Sequence, residues 1–182
     1  MEAAATKFRT RDIAYIAVFV ALMAICSWIS IPTAIPFTLQ TMAIFLAVGL
    51  LGGRRGTLAV LAYILLGAMG APVFAGFSGG LGVLLRSTGG YIIGFLFTAL
   101  IMWSMERFLG SSLWVLGVSM VLGLLACYAF GTVWFMYIYM RDTGAVSLAA
   151  ALGWCVIPFI FPDLVKAALA LFLTTRLRRY VK

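Results

Sequence analysis

The 182-residue chain is 65% hydrophobic and only 10% charged, which excludes a water-soluble domain, because a single core of this size could bury only part of that apolar surface. Thirteen Lys and Arg against five Asp and Glu give a net charge of +8, yet the bases cluster at the chain ends and between apolar runs, as membrane topology requires and a nucleic-acid face does not. The sequence has no His, and Cys26, Cys127 and Cys155 are odd in number and lie inside apolar runs, so neither a disulfide framework nor a metal site is indicated.

The basic N-terminal stretch through Asp12 leads into an apolar run too long for a signal-peptide core and without a clear cleavage site, so it is expected to stay on the protein. Apolar runs able to cross about 30 Å of hydrocarbon then follow in order. Span one covers about 13–31 and is stopped by Ile31-Pro32 and Ile35-Pro36. Spans two and three cover about 37–53 and 57–70. A Gly-rich stretch leads to span four at 88–105 and span five at 112–139, and the last apolar block runs from Ser147 to Thr175. Pro158 and Pro162 break that block. It divides into an interfacial helix over 147–156, holding Trp154, and a crossing over 162–175 with Pro162 in its first turn. The expected fold is an all-α integral membrane protein, one membrane domain over 1–182. Six transmembrane helices form a compact bundle with a Gly-rich outer loop and an interfacial helix before the last span.

Lys7, Arg9 and Arg11 precede span one, Arg54 and Arg55 join spans two and three, Arg107 follows span four, and Arg176, Arg178, Arg179 and Lys182 follow span six. Only Arg86 and Arg141 fall on the other side. The positive-inside rule therefore puts both termini in the cytoplasm, which agrees with an even number of crossings.

Asp163 and Lys166 are an ionisable pair within a span, one helical turn apart on one face. Intramembrane charges are costly and commonly mark function, although a structural ion pair at the helix N-terminus has the same spacing. The outer stretch from Gly70 to Tyr91 is irregular, and such backbone at membrane depth needs protein or a watery cavity to satisfy its amides. Its glycines permit close approach to a ligand, Phe74, Phe77 and Tyr91 offer flat walls, and Arg86 offers a forked donor for a carboxylate. A simple surface loop is the alternative. The run from Gly76 to Gly82 lacks the Lys-Ser/Thr ending and the strand of a phosphate loop, so the chain is not expected to hydrolyse ATP. Gln40, on the outer half of span two, is a buried amide that can meet a ligand or bond a neighbouring helix. Small-xxx-small pairs occur at Gly49 and Gly53, Gly90 and Gly94, and Ala17 and Ala21. Most suit internal packing, whereas Ala14, Ala17, Ala21 and Ala24 form a smooth stripe that also suits a partner protein.

Five ordered motifs now carry a resemblance: Pro36-Phe-Thr-Leu-Gln40, Leu51-Gly-Gly-Arg-Arg-Gly56, Tyr63-Ile-Leu-Leu-Gly-Ala-Met-Gly-Ala-Pro-Val-Phe-Ala75, Thr88-Gly-Gly-Tyr91 and Pro158-Phe-Ile-Phe-Pro-Asp-Leu-Val-Lys166. Over about Arg11 to Arg179 the chain resembles the BioY family, the biotin-specific substrate-capture (S) components of energy-coupling factor (ECF) transporters. The direct Pro162-Asp163 junction departs from many relatives, in which a Gly intervenes, and bears on where the last helix starts.

The resemblance implies a six-helix bundle in a bacterial or archaeal plasma membrane. It would bind biotin from outside and be powered by two ATPase subunits through a transmembrane coupling subunit, without enzymatic activity, cofactor or nucleic-acid partner of its own. Ala17 and Ala21 resemble the Ala-x-x-x-Ala docking feature of S components. For the ligand, Asp163 would accept from a ureido N–H, Lys166 would donate to a ligand acceptor, and Gln40 would assist. Phe74 and Tyr91 would pack on ring and chain, and Arg86 or backbone amides from Gly79 and Gly80 to Gly82 would hold the carboxylate. The reverse orientation, with Lys166 on the carboxylate, stays open. So do an S component for another vitamin and a proton-coupled secondary carrier using Asp163. A membrane enzyme ranks last, since no carboxylate pair or nucleophile beside a base is present.

Overall fold

Hydrocarbon offers backbone amides no water, so apolar runs in a membrane satisfy their amides within helices. The computed structural model describes residues 9–31 and 36–181; of the residues used above for topology, Lys7, Pro32, Ile35 and Lys182 lie outside them. The order is α1 (Thr10–Trp28), β1 (Ser30–Ile31), β2 (Phe37–Thr38), α2 (Gln40–Leu51), α3 (Gly53–Ala68), a 3₁₀ turn (Ala75–Phe77), α4 (Leu81–Leu84), α5 (Gly89–Leu109), α6 (Leu113–Asp142), α7 (Leu148–Cys155) and α8 (Ile157–Val181). Among the described residues, four helical stretches are long and apolar enough to cross a membrane: Thr10–Trp28, Gly89–Leu109, Leu113–Asp142 and Leu148–Tyr180.

Most element boundaries differ from expectation by a few residues, for local reasons. The first helix ends at Trp28 and the second begins at Gln40 because the intervening chain forms an antiparallel pair, Ser30 opposite Thr38 and Ile31 opposite Phe37. The third helix begins at Gly53, with Arg54 and Arg55 in its first turn, and Arg55 Nη2 lies 3.3 Å from Asp12 Oδ1 of α1. The last helix is the largest correction. It starts at Ile157 and not at Pro162, so Pro158 takes the first-turn position and Pro162 lies inside the helix. The chain turns at Val156, whose carbonyl accepts from the amides of Phe159 (2.9 Å) and Ile160 (3.2 Å). Pro162, beyond the first turn, forfeits the bond to the Pro158 carbonyl and crowds that carbonyl with its ring. The preceding helix α7 is capped by Ser147, whose hydroxyl accepts from the Ala150 amide at 3.2 Å.

The apolar sequence of α2 is buried all round, from Ala43 to Val48, as expected of a helix without a polar face. It is wrapped by α1, α3, α5 and α8. The most extensive helix contact is between α5 and α6. Small residues allow it: a Cβ on Gly131 would stand 2.3 Å from the Tyr91 ring, and one on Gly123 would stand 2.8 Å from Thr98. Thr98 Oγ1 lies 3.2 Å from the Gly94 carbonyl of its own helix and 2.8 Å from the Gly123 carbonyl of α6, and it donates its single proton to one of them at a time. At the far end of α8, Arg178 Nε donates to the Gly49 carbonyl of α2 (3.1 Å) and Nη1 to the Ser111 carbonyl between α5 and α6 (2.9 Å).

The chain between α3 and α5 returns to α3 at one glycine. Phe74, 1% exposed, seats its ring where a Cβ on Gly67 would stand 2.0 Å from Cζ, and the Gly80 amide donates to the Gly67 carbonyl at 2.6 Å. Gly67→Ala is therefore expected to displace Phe74 and to destabilise the protein by roughly 1–3 kcal/mol. Gly153→Ala, whose new Cβ meets nothing within 4 Å in α7, is expected to leave stability unchanged or raise it by up to about 1 kcal/mol. Thermal unfolding in detergent micelles checks both signs.

Candidate functional site: a polar cluster in an apolar cavity

The end of the bundle that carries the short sheet and the α3–α5 connection holds a cavity of about 370 Å³. It falls within the size range of small-molecule sites, and its surface is largely apolar by area with polar side chains distributed around it. Five helices and the connection each supply part of it, α7 through Cys155. Gln40 and Thr41 open α2; Phe74 and Ser78 come from the connection; Arg86, Thr88 and Tyr91 lead into α5; Tyr128 and Cys127 come from α6; Phe159, Asp163 and Lys166 come from α8.

The pair Asp163 and Lys166 is 4% and 8% exposed, with Lys166 Nζ donating to Asp163 Oδ1 at 2.7 Å. The Tyr128 hydroxyl donates to Asp163 Oδ2 at 2.6 Å. A charge in this surrounding is tolerable only when paired and hydrogen-bonded. Both oxygens of Asp163 keep acceptor capacity, and the ammonium of Lys166 keeps two of its three donors. Within one helical turn the site therefore presents a carboxylate that accepts and a cation that donates.

Gln40, 4% exposed, also bonds a neighbouring helix: its Nε2 donates to the Tyr63 hydroxyl of α3 at 2.7 Å. Tyr63 in turn donates to the Val73 carbonyl at 2.8 Å. Ser27 Oγ of α1 lies 2.6 Å from that same carbonyl and 2.7 Å from the Ala24 carbonyl, so its single proton serves one or the other. Val73 precedes Phe74, whose ring meets the Tyr63 ring edge-on at 5.5 Å. The cavity wall and the connection thus share one network. Tyr91, on the opposite wall, bonds Thr132 through its hydroxyl at 3.0 Å. Arg86 is exposed at the mouth, and its carbonyl accepts from Trp134 Nε1 at 3.0 Å.

The structure thus brings Gln40, Phe74, Arg86, Tyr91, Asp163 and Lys166 around one cavity. Gly79 and Gly80 do not line it, in contrast to expectation. Gly80 sits at φ +95 with its amide spent on Gly67, and Gly79 packs so closely that a Cβ would lie 2.2 Å from the Ala71 carbonyl. Both glycines fold the connection back on itself. Phe77 is also outside the cavity, 65% exposed and stacked on Trp28 at 4.9 Å between centroids. On α1, Ala14, Ala17 and Ala21 are exposed while Ala24 is buried in the core, so the smooth stripe is shorter than the sequence suggested.

Tyr128, Tyr63 and Ser27 were not picked out from the sequence. The available signal was a hydroxyl inside an apolar run, which needs a partner when buried. Among the described residues, no group of three or more His, Cys, Asp or Glu side chains could hold a metal ion.

Comparison with known proteins gives this cavity a family. Residues 1–182 match the BioY family. The chain is 42% identical over 163 residues to "Biotin transporter BioY" of Thermotoga maritima, covering 89% of this chain and 92% of that protein. It is 40% identical over 174 residues to "Probable biotin transporter BioY" of Pyrococcus horikoshii, covering 93% and 98%. Its fold matches the crystal structure of the S-component for biotin from an ECF-type ABC transporter with a TM-score of 0.82, at 27% identity over 95% of each chain. A family match over the whole length, with relatives matched nearly end to end, means that the chain belongs to the BioY family.

Proposed function

We propose that this protein captures biotin at the cavity and serves as the S component of an ECF-type transporter for its uptake, without catalysing a reaction itself. The observation that carries this reading is the buried Asp163–Lys166–Tyr128 cluster facing a largely apolar cavity that also holds Gln40 and Arg86. Biotin offers matching parts: a ureido ring with two N–H donors and a carbonyl, an apolar bicycle with a thioether, and a carboxylate tail. Asp163 accepts from a ureido N–H, Lys166 donates to a ligand acceptor, and the Gln40 amide assists. Phe74 and Tyr91 pack on the ring and chain. Arg86 takes the carboxylate at the mouth; the Gly80 amide is already committed to Gly67. An analogue lacking one of these groups leaves a buried partner unsatisfied, which is the basis of selectivity.

In this reading the whole chain is one membrane unit. The short helices α2 and α3 complete six crossings, and the positive-inside bias of Arg54, Arg55, Arg107, Arg176, Arg178 and Arg179 puts both termini in the cytoplasm of a bacterial or archaeal cell. The cavity then faces outward. The exposed Ala17 and Ala21 face of α1 docks the transmembrane coupling subunit, which links the protein to two ATPase subunits.

Calorimetric titration of detergent-solubilised protein with biotin, dethiobiotin and biotin methyl ester tests the ligand. Biotin is expected to bind tightly. Asp163→Asn should weaken it by roughly 10–100-fold, the range for a hydrogen bond to a charged group. Tyr128→Phe, which removes a bond to Asp163 and no contact to the ligand, should act only indirectly and weaken it less, by about fivefold. The methyl ester should bind less well if Arg86 reads the carboxylate. No heat with biotin in folded wild-type protein would turn the search to other vitamins.

Docking has its own check. Ala17→Leu combined with Ala21→Leu is expected to abolish co-purification with the coupling subunit while biotin titration is unchanged, since neither alanine lines the cavity. Intact co-purification would remove α1 from the docking surface.

A further inference from the structure

The opposite end of the bundle holds a second, wider depression of about 1070 Å³, formed by the start of α1, the α2–α3 junction and the last turns of α5. Five arginines line it, Arg9, Arg11, Arg54, Arg55 and Arg107, against two carboxylates, Asp12 and Glu106. Both carboxylates are engaged within the protein. Glu106 accepts from the Gly53 amide. Asp12 accepts from the Arg9 amide at 3.1 Å through Oδ2, and its Oδ1, which makes no hydrogen bond, lies 3.3 Å from Arg55 Nη2. Among the described residues that line it, arginines therefore outnumber acids. The backbone builds the depression: Gly52 at φ +82 turns the chain, and Gly53 lies so close to α5 that a Cβ would stand 2.4 Å from Trp103.

We propose that this basin binds a phosphate-bearing anion, and that the source is the headgroup of an anionic phospholipid. Three features favour phosphate. Every cation among the described lining residues is an arginine, whose planar fork matches phosphate oxygens two at a time. Trp103 forms part of the wall, and Trp is the side chain enriched at headgroup depth. Apolar exposed residues continue from the rim along the packed helices α1 and α3, Ile13 beside Asp12 and Leu58 one turn beyond Arg54, so acyl chains have a surface to lie on. A basic recess between helix ends is a recognised form of headgroup site. The basin shares no lining residue with the biotin cavity, so the two assignments stand or fall separately.

The test offers full-length protein in neutral detergent equal amounts of phosphatidylglycerol and phosphatidylcholine and counts retained lipid by native mass spectrometry. Phosphatidylglycerol is expected to be retained in preference. Each arginine that reaches the phosphate contributes about fivefold, so Arg11→Gln with Arg107→Gln should reduce the preference by roughly 25-fold. Arg176→Gln with Arg179→Gln, which remove charge from outside the basin, should leave it unchanged. Displacement by excess inorganic phosphate would support a site that reads phosphate alone, whereas resistance to phosphate would support recognition of the whole lipid.

Absence of any preference, its survival in the Arg11/Arg107 variant, or an equal loss in the Arg176/Arg179 variant would overturn the proposal. Displacement by oligoglutamate but not by phosphate would overturn it in favour of an acidic protein segment. Should the Arg11/Arg107 variant fail to fold, the wild type decides: preference must fall as ionic strength rises, and a salt-insensitive preference would overturn the proposal.

Discussion

The arrangement of the cavity end depends on keeping one carboxylate and one ammonium inside a largely apolar bundle. Asp163 and Lys166 lie on the same turn of α8, so their pairing needs no other helix. The third member does, because Tyr128 belongs to α6 and its hydroxyl lies 2.6 Å from Asp163. That short distance requires α6 and α8 to keep their spacing, since a shift of even 1 Å would leave a buried oxygen poorly satisfied. The bundle meets the requirement from both ends. Near the cavity the α6–α8 hydrogen bond sets the separation, and at the far end Arg178 ties α8 to α2 and to the α5–α6 turn.

Such a pair is weak evidence for stability, because desolvation offsets much of its attraction and an apolar replacement of similar volume would often be neutral or better. Its place at a cavity wall is what the recognition proposed above requires. A ligand with both donors and acceptors can bond the two charges without separating them. The apolar surroundings strengthen each such bond and penalise each missing one.

A second constraint links the cavity to its cover. The Val73 carbonyl has two lone pairs, and hydroxyls from α1 and α3, Ser27 and Tyr63, lie within 2.8 Å of it. Trp28 adds a bond from its indole N–H to the Pro72 carbonyl at 2.9 Å and stacks on Phe77. Because Gln40 donates to the same Tyr63 hydroxyl, a ligand that engages Gln40 touches a network that also fixes the connection and the end of α1. The polar groups of the binding wall and the groups that hold its cover are therefore not independent.

Much of this molecule is legible one residue at a time. The apolar runs set a membrane environment, their number and the placement of arginines set the expected topology, Asp163, Lys166 and Gln40 stand out because charge or amide in an apolar run needs a reason, and Arg86 stands out as the one charge of the Gly-rich outer stretch. What stayed hidden shares a physical cause. Tyr128 carries no charge and reads as an ordinary aromatic of a long span until α6 places it against Asp163. Gly79 and Gly80 read as ligand-facing amides, but the fold of the connection spends one amide on Gly67 and presses the other residue onto Ala71. Pro162 reads as a helix start, but the turn at Val156 comes first and makes Pro158 the first-turn proline. Solvation and helical spacing are properties of the chain itself, so the sequence alone determined the membrane class, the ion pair and the family resemblance. Which hydroxyl meets which carboxylate, which glycine faces a cavity and which carbonyl is already bonded depend on residues far apart in sequence, and only tertiary packing decided them.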